Sequence, residues 1–301
     1  MTRSYETTGR DSGPQRGARR AAGDLSRRRF LGWAAAGAGA AMFGRVARAR
    51  AADDYAGFVM GLQTYSLRNY SADKMLDLAR DFGVKTLEFF PGHLPQTDSA
   101  SQIEGVKQKL NARKLTALGY GVVPFTKDHE ANRKMFEFAK KAGVRYLSAD
   151  PHEDSFDSLD KLVAEYDIRI AIHNHGPGAR YDKVADVLNA IKGHHPSIGA
   201  CADLGHYIRA GEDPVRAISL LTGRLYGVHL KDFAEPKKDA AGVILGRGQL
   251  NLPATFRALR KAEFPIDACL ALEYEEKPDD PLEDIRQCLA AAAEGAKESR
   301  G

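Results

Sequence analysis

The feature that most constrains this chain is an eightfold alternation of short β-branched or apolar runs with amphipathic stretches, starting near residue 59. The runs expected to form strands are Val59–Ser66, Thr86–Phe90, Thr116–Gly121, Tyr146–Asp150, Ile168–Asn174, Gly199–Leu204, Tyr226–Lys231 and Cys269–Tyr274. Between them, apolar residues recur at the i, i+3, i+4, i+7 spacing of one helix face. Met75, Leu78, Ala79 and Phe82 do so, as do Leu159, Leu162, Val163 and Tyr166, and Val184, Val187, Leu188 and Ile191. Gly83, Gly143 and Gly193 follow such stretches as C-caps would, and Pro253 and Pro281 fall where a first turn tolerates proline. Most runs begin about 25 to 30 residues apart, the length of a β-loop-α-loop unit, so the strands are expected to be parallel and joined by helical crossovers. Eight such units from residue 52 to residue 301 predict an α/β chain folded as a single (β/α)8 TIM barrel. An open doubly wound sheet is the alternative. It requires a Gly-rich turn after the first strand, and the segment Gln63-Thr64-Tyr65-Ser66-Leu67-Arg68 has none.

Residues 1–51 do not belong to this pattern. They carry eleven Arg against three acids, Glu6, Asp11 and Asp24, a charge of +8 within a chain whose total is +4. The remainder is therefore −4. Within the segment, Ser26-Arg27-Arg28-Arg29-Phe30-Leu31 matches the twin-arginine pattern; an apolar stretch from Phe30 to Phe43 and a small-residue site at Ala49-Arg50-Ala51 follow. This order of parts predicts a cleaved leader, export through the twin-arginine (Tat) translocase, and a periplasmic location. The apolar stretch is Ala- and Gly-rich and shorter than the ~20 apolar residues of a spanning helix, so no stable membrane anchor is expected. The whole-chain basicity resides in the leader, and the acidic remainder argues against nucleic acid as a partner.

Cys201, Cys269 and Cys288 are an odd number at irregular spacing, without a CxxC, and read as core residues. A bridge between Cys269 and Cys288 stays open at this point.

Active sites of such barrels lie at the C-terminal ends of the strands, and metal-ligand residue types crowd there. The second run holds Glu88; the fifth ends in His173-Asn174-His175; the sixth reaches Asp203, with His206 just beyond; the seventh carries His229 and Lys231; the eighth carries Glu273, with Glu275 after it. Strand alternation tests their facing. With Ile170 and Ile172 toward the helices, Ala171 and His173 face the axis; Val228 and Leu230 outward leave His229 and Lys231 inward. The same parity turns Asp203 and Glu273 inward. Four ionisable groups in one barrel mouth desolvate one another unless a cation or substrate compensates. His173, Asp203, His229 and Glu273 are therefore the expected ligands of one divalent ion, and two imidazoles with two carboxylates suit Mn, Zn, Co or Fe(II).

From Gly61-Leu62-Gln63-Thr64-Tyr65-Ser66-Leu67-Arg68 through Leu87-Glu88, Ile172-His173-Asn174-His175-Gly176, Ala202-Asp203-Leu204-Gly205-His206, Gly227-Val228-His229-Leu230-Lys231-Asp232 and Leu245-Gly246-Arg247-Gly248 to Leu272-Glu273, the chain resembles the sugar phosphate isomerase/epimerase family of xylose-isomerase-like barrels. That resemblance implies one divalent ion, often manganese, on His173, Asp203, His229 and Glu273, with His206 and Lys231 near the oxygens of a ketose or polyol. There is one departure. Many members carry Glu near the position of His173, and in the epimerases that Glu and the strand-8 Glu transfer protons on opposite faces of the substrate. Here Glu273 alone is kept, so His175 or Glu88 is the candidate for the second proton-transfer group. Arg247 stands where the pattern often has an acid and is a candidate for binding an acidic or phosphorylated substrate, with a solvated loop charge as the alternative.

The expected function is isomerisation or epimerisation of a small carbohydrate by proton transfer beside a metal-bound oxygen. Its nearest rival is a lyase or dehydratase on keto-sugars, and the rival of another class is a non-catalytic carbohydrate-binding barrel. The long connection from Phe233 to Asn251 is expected to be a lid or substrate loop. The sequence leaves the oligomeric state open.

Overall fold

The computed structural model describes residues 55–301, so the predicted leader lies outside the described residues. Eight strands close on themselves: β1 (Met60–Gln63), β2 (Thr86–Phe89), β3 (Thr116–Phe125), β4 (Tyr146–Pro151), β5 (Arg169–His173), β6 (Ile198–Asp203), β7 (Leu225–Leu230) and β8 (Cys269–Leu272). Each pairs in parallel with its neighbours, and β1 pairs with both β2 and β8, which completes the barrel and excludes the open sheet. Around it run α1 (Ala72–Asp81), α2 (Ala100–Arg113), α3 (His129–Ala142), α4 (Phe156–Tyr166), α5 (Val184–Ile191), α6 (Leu204–Arg209), α7 (Pro214–Leu220), α8 (Leu252–Lys261) and α9 (Leu282–Glu298). Gly83, Gly143 and Gly193 adopt the left-handed conformation expected of them. Among the described residues no helix is long and apolar enough to cross a membrane.

The period of two divides the strands as predicted. Ile170, Ile172, Ala200, Ala202, Val228, Leu230, Leu270 and Leu272 join the layer beneath the helices, while Ala171, Cys201, Cys269 and Ala271 pack with Leu118 and Tyr146 in a separate cluster inside the barrel. The Tyr146 ring fills that interior because two glycines leave it room. A Cβ on Gly119 would come within 2.4 Å of the ring, and one on Gly227 within 3.2 Å. All three cysteines are buried and free, so the Cys269–Cys288 bridge is not formed.

Two local features depart from the pattern read in the sequence. The connection from β6 to β7 holds two short helices, α6 and α7, where one crossover was expected. The Phe233–Asn251 loop carries a two-residue antiparallel ladder, Asp232–Phe233 against Gly242–Val243. The buried Asp232 organises it. Its Oδ1 accepts from the backbone N–H groups of Phe233 (2.8 Å), Gln249 (2.8 Å) and Leu250 (2.9 Å), and Oδ2 from those of Gly246 and Gly248 (both 2.9 Å).

Candidate active site

The barrel mouth is built upward from a buried carboxylate. Glu88 faces the axis from β2 and is wholly enclosed. Its Oε1 accepts from Gln63 Nε2 (2.8 Å) and Ser148 Oγ (2.6 Å), and its Oε2 accepts from the Tyr146 hydroxyl (2.5 Å). Burial pushes its pKa up, but the His229 charge and the hydrogen bonds outweigh burial and hold it below the usual carboxylate range. Glu88 Oε2 also stands 3.1 Å from Nε2 of His229 on β7. With an ion bound, a carboxylate beside that nitrogen would favour the ring proton on Nε2 and leave the Nδ1 lone pair for the mouth.

Nδ1 of His229 lies 3.0 Å from His173 Nε2, 3.1 Å from Glu273 Oε2 and 3.7 Å from Asp203 Oδ2, and His173 Nε2 lies 3.6 Å from Asp203 Oδ2. One donor atom from each of the four residues thus falls within 4.8 Å of every other, and all four residues are buried. Two donors each ~2.1 Å from one ion are separated by about 3.0–3.5 Å at angles of ~90° to ~110°; two of these four separations have that length, and the two to Asp203 Oδ2 are slightly longer. Asp203 Oδ2 and Glu273 Oε2 accept no well-aligned hydrogen bond and are met only by the Lys231 ammonium at 3.0 and 2.7 Å, which leaves these buried carboxylates able to take a further cation. The donor set fits one divalent ion.

Local structure aims each donor. Asp203 caps α6, and its Oδ1 accepts the His206 N–H at 2.7 Å, so Oδ2 alone is left for the cluster. Asn174, fully buried after β5, clamps the same point: its Oδ1 accepts the Asp203 N–H (2.8 Å) and its Nδ2 donates to the Asp203 carbonyl (2.9 Å). Glu273 continues the β8 pairing through its N–H to the Leu230 carbonyl at 3.1 Å.

Without an ion, the cluster gathers protons and an ammonium. Burial lowers the pKa of His229, but Cys201, Glu88 and Glu273 outweigh it and raise that pKa well above the ordinary value. Burial raises those of Asp203 and Glu273, yet their neighbours, chiefly His206 and Lys231 for the first and Lys231 and His229 for the second, hold both carboxyls below their normal range. Lys231 Nζ lies 2.7 Å from Glu273 Oε2, 3.0 Å from Asp203 Oδ2 and 2.5 Å from Glu275 Oε1.

Beside the cluster opens a cavity of about 380 Å³, bordered by Gln63, Tyr65, Phe90, Gly121, Val122, His173, His175, His206, Glu273 and Glu275. The Tyr65 and Phe90 rings meet edge to face at 5.0 Å and give it an apolar wall. The His175 ring stands 4.6 Å from that of His173 and 5.8 Å from that of His206. Burial, reinforced by the neighbouring His173, pushes the His175 pKa down to about 4, and burial pushes His206 to about 3, so both are neutral imidazoles at neutral pH. His206 Nδ1 is buried without a partner.

The residues singled out in the sequence therefore separate into groups. His173, Asp203, His229 and Glu273 come together, with His175 and His206 on the cavity. Lys231 lies in the wall, bordering a smaller pocket of about 220 Å³ under the Phe233–Asn251 loop. Glu88 is sealed beneath His229 and does not border the cavity. Arg247 is exposed, donates to Gln287 Oε1 on α9 at 2.7 Å and borders neither pocket. Sequence reasoning gave no role to Gln63, Ser148, Tyr146, Asn174, Asp232 and Glu275. For Gln63 and Ser148 the signal was available, since a polar residue at an inward strand position needs a partner; for Asn174 and Asp232 the partners are backbone groups that no side-chain pattern records.

Residues 71–292 match the family described as xylose isomerase-like TIM barrel. Among characterised proteins, an inosose dehydratase of Clostridium botulinum is 27% identical over 145 residues, covering 42% of this chain and 48% of that protein. A 3-oxo-isoapionate decarboxylase of Pectobacterium atrosepticum is 30% identical over 109 residues, covering 34% and 38%. The chain thus matches about half of the first relative's length and less of the second's. Among solved structures, a 3-keto-D-glucoside 4-epimerase from E. coli superposes with a TM-score of 0.62 at 15% identity, over 78% of this chain and 98% of that one. With a family match that spans most of the barrel, and a closed parallel barrel of eight strands to go with it, this chain belongs to the xylose isomerase-like TIM barrel family.

Proposed function

We propose that this chain is a metal-dependent lyase of keto-sugars or keto-polyols, removing a proton beside a carbonyl and expelling a group from the neighbouring carbon. His173, Asp203, His229 and Glu273 hold one divalent ion, manganese before zinc, cobalt or iron. When bound, such an ion polarises a substrate carbonyl and acidifies the adjoining C–H. Glu273 contributes one oxygen to the cluster and keeps the other as the base. Its depressed pKa keeps it ionised at neutral pH. His206, neutral and with Nδ1 unpartnered, hydrogen-bonds a substrate hydroxyl, and Tyr65 and Phe90 cover the apolar face of the ring.

The observation that carries this reading is the origin of the carboxylates on the cavity. Glu273 and Glu275 both leave the end of β8, while β5 across the mouth presents only His173 and His175. Epimerisation wants proton-transfer groups on opposite faces, whereas elimination needs one base and a departing group. The relatedness to a dehydratase and a decarboxylase points the same way. Isomerisation or epimerisation is the second reading, and His175 favours it, since a neutral imidazole on the β5 side of the cavity can relay a proton.

The test is incubation of the Mn²⁺-loaded protein with a panel of keto-sugars and keto-polyols in D₂O. Elimination gives a product lighter by water or another lost group; isomerisation gives equal mass plus exchanged deuterium. His173→Glu restores the paired carboxylates, and a gain of epimerase activity there supports the shared mechanism. Turnover by metal-free protein in chelator, or no chemistry on any member of the panel, refutes the proposal. The leader read in residues 1–51 supports action in the periplasm after export by the twin-arginine translocase.

A further inference from the structure

Lys231 occupies a position that the proposed reaction does not explain. Its Nζ lies 3.0 Å from Asp203 Oδ2 and 2.7 Å from Glu273 Oε2. These are the same two oxygens that complete the donor cluster with His173 Nε2 and His229 Nδ1. Apart from this ionic contact, neither oxygen accepts a hydrogen bond among the described residues. An ammonium and a dication placed on one pair of buried carboxylate oxygens repel each other strongly, because little solvent screens them. Lys231 has a third partner that is not a cluster donor. Glu275 Oε1 is 2.5 Å from Nζ, and the Glu275 side chain is 39% exposed on the cavity, against 0% and 8% for Asp203 and Glu273.

We infer that Lys231 is the site's internal counter-cation: it neutralises Asp203 and Glu273 in the metal-free protein, competes with the metal for them, and yields by withdrawing onto Glu275. The inference rests on the metal reading above and adds a cost to metal loading set by this chain's own residues. Two buried carboxylates within reach of each other are destabilising without a positive charge, so the lysine keeps the empty cluster folded and pre-assembled. By linkage, whatever stabilises the metal-free state weakens metal binding by the same factor. Lys231 and Glu275 should then act with opposite signs. Removing the lysine lifts the competition; removing Glu275 takes away the ammonium's alternative partner and strengthens its hold on the donors.

The experiment uses the full chain stripped by chelator, with Mn²⁺ affinity measured by calorimetry and thermal unfolding followed with and without Mn²⁺. Lys231→Met is expected to bind Mn²⁺ on the order of tenfold more tightly than wild type, and Glu275→Gln about fivefold more weakly. Lys231→Met should also lower Tm in chelator while leaving Tm at saturating Mn²⁺ close to wild type. Equal or weaker Mn²⁺ binding by folded Lys231→Met overturns the inference, as do shifts of the same sign in both variants. Should Lys231→Met fail to fold without metal, Glu275→Gln decides alone, and unchanged or tighter binding overturns it. Wild type that takes up no Mn²⁺ overturns the metal reading itself, and with it this inference, before any variant is compared.

Discussion

Asp232 offers the most quantitative test of how this barrel mouth is held. One enclosed carboxylate accepts five backbone N–H bonds, four of them from residues 246, 248, 249 and 250, at the far end of a loop that roofs the pocket beside Lys231 and Glu273. A hydrogen bond to a charged group is worth about 1.5–3 kcal/mol, but the bonds do not add. Gly246 and Gln249 are exposed and their N–H groups find water when the carboxylate is gone, whereas Leu250 is buried and its N–H does not. Counting mainly the two less accessible donors, Asp232→Ala should cost about 3 kcal/mol, and Asp232→Asn somewhat less because its amide oxygen still accepts on one side. Since 1.4 kcal/mol is about a tenfold change in an equilibrium, amide exchange at Gly246, Gly248, Gln249 and Leu250 should accelerate about a hundredfold. The barrel strands should keep their protection, because the loop can lift without breaking a strand pair. Acceleration below about tenfold at all four amides would refute the view that this carboxylate is the loop's anchor. Equal acceleration throughout the barrel would show that the loop does not open independently.

Other consequences follow from the same geometry. Glu88→Gln should leave the barrel folded yet weaken Mn²⁺ binding about 10- to 100-fold, since the ring of His229 loses the carboxylate that fixes its proton on Nε2; calorimetry reads this, and unchanged affinity counts against it. His206 has its folded-state pKa depressed by burial from the ordinary 6.5 to about 3, so the unfolded chain binds the extra proton between those values. Stability of the metal-free protein should therefore fall as pH drops from about 6.5 toward 3, and His206→Gln should flatten that slope in urea titrations. An identical slope in the variant would assign the acid sensitivity elsewhere. Replacing Arg27 and Arg28 by Lys should hold the precursor on the cytoplasmic side, because the export receptor reads the guanidinium pair; normal periplasmic accumulation on fractionation would remove the leader assignment.

What the sequence alone determined was whatever depends on period and spacing. A strand alternates faces by covalent geometry, so the inward facing of His173, Asp203, His229 and Glu273 follows by counting from Ile170, Ile172, Val228 and Leu270. Eight repeats of a β-loop-α-loop unit allowed few closures, and the barrel is one of them. Depth along the axis was not legible, because it depends on the stagger between strands and on where each strand stops. Glu88 and Glu273 both point inward, yet the first lies under His229 and is held by three side-chain hydrogen bonds, and the second opens on the cavity. The same holds for Lys231, whose inward facing was foreseen but whose three carboxylate partners come from two other strand ends. Arg247 stands away from the cavity, bonded to Gln287 on α9, on a loop that Asp232 pins through backbone N–H groups that a sequence of side chains does not record. Facing is a local property of the chain; depth, partners and charge balance arise only when distant segments meet.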